Sequence, residues 1–354
     1  MNRIDLLDKL KLVAPALSDN NLVPVLSHFW LLGDRLMAYN DQISISTSLK
    51  SDFKGAVPGS TLIDLLSASR AKDVELIVGK EVPEGQLLIK AASSRLKLPY
   101  LPSKATELFT MPKPDPAFVL DVSPEPFLAA IESCLRSVRE DTSIPDSLGI
   151  TIIPQGKFVD MYATNDATIS HSQVKLRGDT KFKDRVILSG AFCRQMLSLA
   201  TEDKASIIEI HDDYSLFKCG DTILFGRLVN VEKPLDFASI IDTHFSEDTE
   251  KNLITIPTKL QLILDRAVII TESKSERSKT AVSIKDGKAL FYSKSDKGEV
   301  RDSMLVEQHH PDVDITIEPK LMQAGFGHFD KMVLSETCVV MIKDNSLYLI
   351  SASQ

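Results

Sequence analysis

At 354 residues the chain exceeds what one ordinary hydrophobic core can organise, so length alone predicts two or three domains. Its 43% hydrophobic and 25% charged residues are those of a globular protein, and no apolar run approaches the roughly 18 residues of a membrane span, which predicts no membrane partner. A net charge of −8 argues against a surface that grips nucleic acid everywhere, while leaving room for a local basic face.

In chain order, the first predicted helix runs from Ile4 to Val13; its alternating charges lack the continuous apolar core of a signal peptide. Short strands then lead through "AYNDQISIS", and "GAVPGSTLIDLLSAS" reads as a strand, a turn and a helix with Leu62, Leu65 and Leu66 at helical spacing. Three short strands follow in "DVELIVG", "QLLIKAA" and "RLKLPYL", and the proline-rich "FTMPKPDPAF" reads as a linker. A second leading helix, Pro124 to Arg139, carries the stripe Phe127, Ile131, Leu135 and Val138, with Pro124 in its first turn and Ser123 placed to cap it. "MYATNDATIS" comes next, then "RVILSGAFCRQMLSLA" as strand, turn and helix with Phe192, Met196 and Leu199, then strands in "SIIEIHD", "SLFKC" and "TILFGRLV". The polar, acidic "NVEKPLDFASIIDTHFSEDTE" reads as a second linker. A helix from Pro257 to Ile270, the segment "DITIEPKLMQAGF", and strands in "DKMVLSE", "CVVMIKD" and "SLYLIS" complete the chain.

The order helix, strands, helix, strands occurs three times, and two of the copies share a phrase: "AYNDQISIS" (Ala38 to Ser46) and "YATNDATIS" (Tyr162 to Ser170), with Ser-Asp in "YSKSDKGE" as a worn third. This predicts three similar domains, 1–115, 116–245 and 246–354, in the α+β class, each with two helices and antiparallel sheets. Cys134, Cys193, Cys219 and Cys338 have no paired spacing and there is no glycosylation sequon, which predicts a cytoplasmic protein with reduced, mostly buried thiols.

Three such units, together with "LVPVLSHFWLLGDRLMAYND", "MYATND", "LDRAVII" and the weaker "KGEVRD" in that order, resemble the bacterial β sliding clamp family, the DNA polymerase III β subunits, over nearly the whole chain. The resemblance implies the DNA clamp fold, with two three-domain copies head to tail closing a six-domain ring around duplex DNA, and a processivity factor that tethers a replicative polymerase. It implies no enzyme activity and no cofactor. Because a ring retains DNA by topology, its contacts with phosphate can stay weak, non-specific and salt-sensitive, which reconciles an acidic chain with double-stranded DNA. The DNA-facing candidates on the helices are Lys9, Lys11, Arg70, Lys72, Arg136, Arg139, Arg194, Lys259, Arg266 and Lys320. Each reads equally as an ordinary solvated charge, since Asp5, Asp8, Glu132 and Asp265 share these helices.

The resemblance further implies that polymerase and clamp loader dock short peptides into an apolar pocket between the second and third domains. Carried onto this chain, the pocket comprises Thr164, Asp166, Ala167, Thr168 and Ile169, then Pro234 and Ile240, then Leu349 and Ser351. Where the family has Thr-Asp-Gly-His-Arg-Leu this chain has Thr-Asn-Asp-Ala-Thr-Ile, and Ser351-Ala352 replaces the usual Met-Pro, so the lip loses a His and an Arg. These departures mark a divergent member of the kind a phage or mobile element carries, serving a divergent polymerase. Between copies, "SSRLKL" resembles the family's first-domain edge strand, which implies Leu96 and Leu98 facing Ile269 and Ile270 of the other chain; the reading of all four as internal core is nearly as strong.

Enzymatic motifs are few. "EQHHPDVD" offers His309, His310, Asp312 and Asp314, but adjacent histidines point apart and no second cluster completes a ligand set, so no metal is expected. "HDDY" reads as a turn between strands, "AGFGHF" ends a helix where a phosphate cradle would begin one, and there is no Walker, Gly-X-Ser-X-Gly or His-Glu-X-X-His sequence. The alternative function is a non-catalytic scaffold of the same fold that recruits transcription or repair proteins.

Overall fold

The computed structural model describes residues 1–18, 23–79, 82–102, 118–139, 144–178, 185–200, 206–272, 279–307 and 309–352. The proline-rich linker up to Ala117, and with it the expected boundary at 115/116, lies outside the described residues. In chain order the elements are α1 (Arg3–Val13), β1 (His28–Leu31), β2 (Arg35–Tyr39), β3 (Ile43–Ser48), β4 (Gly55–Pro58), α2 (Gly59–Ala68), β5 (Val74–Ile77), β6 (Gln86–Ala91), β7 (Ser94–Pro99), β8 (Leu101–Pro102) and β9 (Phe118–Val119). Next come α3 (Pro124–Cys134), β10 (Gly149–Gln155), β11 (Phe158–Thr164), β12 (Thr168–Lys175), β13 (Val186–Ser189), α4 (Gly190–Leu199), β14 (Ser206–Ile210), β15 (Tyr214–Cys219) and β16 (Thr222–Arg227). The last stretch holds α5 (Phe237–His244), α6 (Glu247–Glu250), β17 (Ile254–Thr255), α7 (Lys259–Thr271), β18 (Thr280–Lys285), β19 (Lys288–Ser295), β20 (Gly298–Leu305), β21 (Val313–Ile317), α8 (Pro319–Gly325), β22 (Lys331–Leu334), β23 (Cys338–Lys343) and β24 (Ser346–Ser351). Every paired strand is antiparallel to its neighbour.

The chain forms two compact units, Met1–Asp121 with Ala191–Leu228, and Val122–Gly190 with Val229–Gln354. Both are built around a sheet joined from strands far apart in sequence. In the first unit the order is β8-β4-β1-β2-β3-β16-β15-β14-β9, and the seam β3·β16 pairs Ile45 with Leu224. Beside this seam α4 packs closely on β16 because of Gly226, where a Cβ would fall 2.6 Å from the Phe192 ring of α4. In the second unit the order is β13-β10-β11-β12-β24-β23-β22-β17, and the seam β12·β24 pairs Ile169 with Leu349. Each unit also has a smaller sheet, β5-β6-β7 in the first and β20-β19-β18-β21 in the second.

Local chemistry explains several helix ends. Asn2 starts α1 by accepting the Ile4 and Asp5 N–H groups, and Leu6, Leu7, Leu10 and Val13 are its buried face. Arg3 then donates to the Leu66 and Ala71 carbonyls at 2.9 and 2.8 Å, satisfying acceptors at and beyond the α2 C-terminus. The expected helix 124–139 is shorter: α3 stops at Cys134, and a 3-10 turn, Leu135–Ser137, follows. The chain leaves the helix because the buried Ser137 hydroxyl bonds the Thr168 and Ser170 hydroxyls of β12, both at 2.8 Å. Ser123 sits at the N-cap position, yet its hydroxyl accepts from Arg177 Nε at 3.1 Å and makes no cap. Likewise α7 starts at Lys259, one turn edge beyond Pro257.

The second expected linker contains α5 and α6. Asp236 accepts the Ser239 N–H at 3.1 Å, and Phe237 and Ile241, four residues apart, are the buried face. The acidic surroundings of this short stripe mask it in the sequence. All four cysteines are buried free thiols, and among the described residues no helix is long and apolar enough to cross a membrane.

Candidate functional site

The two Asn-Asp phrases fold into the same turn. Asn40 Oδ1 accepts from the Gln42 and Ile43 N–H groups at 3.3 and 3.1 Å, and Asp41 takes a left-handed φ of 76°. Asn165 Oδ1 accepts from the Ala167 and Thr168 N–H groups at 3.2 and 2.8 Å, and Asp166 has a φ of 71°. These are Asx turns, in which a short amide side chain replaces a backbone acceptor and Asp tolerates the left-handed region. In the third phrase Ser295 Oγ accepts the Lys297 N–H at 3.1 Å, a weaker version of the same device.

Around the second turn, the pleat of β12 sends alternate side chains to opposite faces of the sheet. On the face covered by α3 and α8, Thr168 bonds Asn165 Oδ1 at 2.9 Å and Ser137, and the Tyr348 hydroxyl donates to the Leu321 carbonyl of α8 at 3.2 Å. Burial pushes the Tyr348 phenol up to about 12. Thr168, expected in the partner pocket, is therefore turned to the face opposite Ile169, held there by hydroxyl bonding. Ser351 closes the lip from β24, donating through both its N–H and its hydroxyl to the Ala167 carbonyl at 2.9 and 3.0 Å.

A cavity of about 890 Å³ opens at this lip. Asn165, Asp166, Ala167, Ser351 and Ala352 form one side. Arg139, Lys279, Glu318, Lys320 and Leu321 form the rest. Two residues expected to face DNA, Arg139 and Lys320, are thus brought together with three expected in the partner pocket, Asp166, Ala167 and Ser351. Lys279, Glu318 and Leu321 had no local signal in the sequence.

On the opposite face, Ile169 and Leu349 are buried in a cluster with Tyr162, Phe237 and Ile241, and Ile240 packs against it from α5. A column of rings crosses this cluster: the Arg185 guanidinium lies 5.6 Å from the Phe237 centroid, Phe237 stacks on Tyr162 at 5.2 Å, and Tyr162 stacks on His171 at 4.6 Å. His171 Nε2 is 3.1 Å from Asp160 Oδ1, which also accepts from Gln173 at 3.0 Å. Burial alone would raise the Asp160 carboxyl; the hydrogen bonds from His171 and Gln173 outweigh it and hold the group below the usual range. Burial, with Asp160, Asp242 and Asp236 nearby, pushes the Tyr162 phenol up to about 12. Thr164 is buried beneath the turn, its hydroxyl donating to the Thr168 carbonyl at 3.0 Å, and Pro234 is exposed, one residue before the Leu235 carbonyl that Arg185 grips.

The remaining cations divide into two groups. Lys11, Arg70, Lys72 and Arg194 are exposed, with Arg70 and Lys72 in the turn after α2, and Lys9 is 3.9 Å from Asp5 on the same helix. Arg136, Lys259 and Arg266 bond groups of their own unit. Arg136 donates to the Glu132 and Ala324 carbonyls at 3.1 and 3.2 Å, and burial lowers its pKa. Arg266 holds Asp302 of β20 through two bonds of 2.9 and 2.7 Å, and Lys259 donates to the Ser303 carbonyl at 2.8 Å.

At the expected interface, Leu98 is only 7% exposed, whereas Ile269 is 64% exposed; Leu96 and Ile270 are half-buried. Leu98 belongs to the core of its own small sheet. His309 and His310 diverge: His309 Nε2 bonds the Leu253 carbonyl at 3.0 Å, while His310 is buried with Nδ1 2.8 Å from the Pro311 carbonyl and Nε2 accepting the Leu334 N–H at 3.1 Å. Both His310 nitrogens are occupied by the backbone, which assigns a neutral Nδ1–H ring, and burial lowers its pKa. Among the described residues no group of three or more His, Cys, Asp or Glu could hold a metal. His211 to Asp213 form the β14–β15 turn, with His211 stacked on Tyr214 at 4.2 Å.

No protein-family model matches the chain, and no curated protein sequence matches it. Solved structures match over its entire length. A DNA polymerase sliding clamp from Bacillus subtilis aligns with a TM-score of 0.85 at 15% identity, covering 100% of this chain and 98% of that one. A DNA polymerase sliding clamp from Pseudomonas aeruginosa, solved with a ligand, aligns at 0.84 and 18% over the same shares, 100% and 98%. The DNA polymerase III β subunit from Thermotoga maritima aligns at 0.83 and 17%, again covering 100% and 98%. With the antiparallel sheets and the thrice-repeated order of helix, four strands, helix and three strands, these likenesses establish the fold as the α+β DNA clamp fold.

Proposed function

We propose that the chain is a DNA sliding clamp and a processivity factor with no catalytic activity of its own. Three repeats, 1–115, 116–245 and 246–354, pair head to tail with a second copy to close a ring around duplex DNA, and partners dock by short peptides at the lip formed by the β11–β12 turn and β24. The observation that carries this reading is the likeness, over the whole chain, to solved structures of DNA polymerase sliding clamps. Two features of this chain support it. Within the large sheets, segments distant in sequence join edge to edge at β3·β16 and β12·β24, whereas β7 and β20 end the small sheets as strand edges without a partner among the described residues. A strand edge is a template for pairing, and two unlike edges on one chain suit a heterologous, ring-closing contact. Exposed Ile269 on α7 fits that contact; Leu98, committed to its own core, supports it from beneath.

The second feature is charge. Lys9, Lys11, Arg70, Lys72 and Arg194 supply cations that the first unit leaves at its surface in a chain of net charge −8. Duplex DNA and the replicative polymerase with its loader are the partners this predicts. Sedimentation should give twice the chain mass, and the protein should remain on closed circular DNA and leave when the circle is cut. A monomer that binds circular and linear DNA alike would refute the ring.

A further inference from the structure

We infer that the cavity at the β11–β12 turn takes an acidic peptide segment, with an apolar side chain against Leu321 and an adjacent Asp or Glu carboxylate held by Lys279 and Lys320. This rests on the reading of the lip as the place where partners dock, and specifies the chemistry of what docks there.

Charge carries the inference. A chain with net charge −8 places three cations around one cavity against two carboxylates, Asp166 and Glu318. Lys279 has no ion-pair partner among the described residues. Among the described residues Lys320 pairs with Glu272 at 3.9 Å, with both side chains more than two-thirds open to solvent; such a pair is weak, so the ammonium remains available to a ligand. A carboxylate reaching between Lys279 and Lys320 makes charge-assisted bonds of the strong class.

Size and composition point to peptide. About 890 Å³ accommodates several side chains, and Leu321, Ala167 and Ala352 give an apolar wall on which a side chain can be buried. Asp166 and Glu318 would repel a continuous phosphate backbone, while a peptide offers them N–H donors. The lip is also set before binding, because Ser351 fixes Ala167 and Asn165 fixes the turn, so little ordering cost falls on the ligand.

The test uses the intact protein and two fluorescein-labelled peptides, Gly-Leu-Glu-Glu-Leu-Gly and Gly-Leu-Gln-Gln-Leu-Gly, followed by anisotropy at low salt. The glutamate peptide should bind about tenfold tighter, and the advantage should shrink with added salt. It should vanish in the Lys279→Gln/Lys320→Gln double variant and persist in Lys320→Arg, with circular dichroism verifying the fold of each. Equal affinities that are abolished by Ser351→Trp would overturn the charge inference and leave the docking site standing. Binding indifferent to Ser351→Trp would remove the docking site itself. Absence of glutamate-peptide binding at millimolar concentration, or its displacement by oligothymidylate together with oligothymidylate binding lost in the double variant, would also overturn the inference, the latter by assigning the cavity to nucleic acid.

Discussion

The turn at Asn40-Asp41 and the turn at Asn165-Asp166 are the same local object in two settings. In both, the asparagine Oδ1 accepts from the N–H groups two and three residues on, and the aspartate is left-handed, with φ 76° and 71°. The strand that follows, however, meets different neighbours. At the first seam Ile43 of β3 pairs with Gly226 of β16; at the second, Ile169 of β12 pairs with Leu349 of β24, and Ser351 reaches back to Ala167. Local sequence sets the turn, and the strand brought alongside decides whether it becomes a plain connection or the lip of a cavity.

The largest expected effect comes from removing what backs the second turn alone. Phe237 is buried between the Arg185 guanidinium and the Tyr162 ring, so Phe237→Ala should cost about 3–5 kcal/mol. Hydrogen exchange should locate the damage: amides of 165–169 should lose protection while those of 40–44 keep theirs. Equal loss at both turns would mean that the two seams are one cooperative structure and that the contrast is unreal.

Next come the asparagines. Asn165 Oδ1 accepts three bonds, from the Ala167 and Thr168 N–H groups and the Thr168 hydroxyl, and Thr168 is buried. Asn165→Ala leaves buried donors without water and should cost about 2 kcal/mol. Asn40 accepts two longer bonds at a more exposed turn, where water replaces the lost amide, so Asn40→Ala should cost about 1 kcal/mol or less. Denaturant melts of the two variants check the ranking.

The asparagine turns were legible in the sequence because they are local: the whole device lies within four residues. The short strands were legible for the same reason. Helix α5 was not, because one apolar pair, Phe237 and Ile241, is embedded among acids and polar residues and reads as linker. The end of α3 at Cys134 depends on Ser137 finding hydroxyls on β12, a contact no helical pattern encodes. The cavity was least legible, since Arg139, Lys279 and Lys320 come from three separate segments. Arg139 and Lys320 were assigned to DNA by helical position, and only the folded chain brings them to the lip.

A smaller effect separates the two units by pH. His310 is neutral and buried in the second unit, accepting the Leu334 N–H. Burial lowers its folded pKa below the unfolded value near 6.5. The unfolded chain therefore binds the proton more readily, so this contribution is complete above pH 6.5 and is lost as pH falls from there through the folded pKa. The loss is at most about 1.4 kcal/mol per pH unit within that window. Melts between pH 7 and 5 should show the loss, and His310→Gln should flatten this part of the profile while leaving exchange at β3 unchanged.

The smallest effect tests the comparison most closely. Asp41→Gly and Asp166→Gly both relieve a left-handed side chain and both add freedom to the unfolded chain, two terms of opposite sign. Because the two φ values differ by little, the net changes should agree within about 0.5 kcal/mol, and neither should shift the melt by much. Only Asp166, however, faces the cavity. Asp166→Gly removes one of the two carboxylates there and should tighten the glutamate peptide, whereas Asp41→Gly should leave its affinity unchanged. Matching stability with divergent binding would separate what the phrase encodes from what its neighbours make of it; a matching binding response would place the peptide somewhere other than this lip.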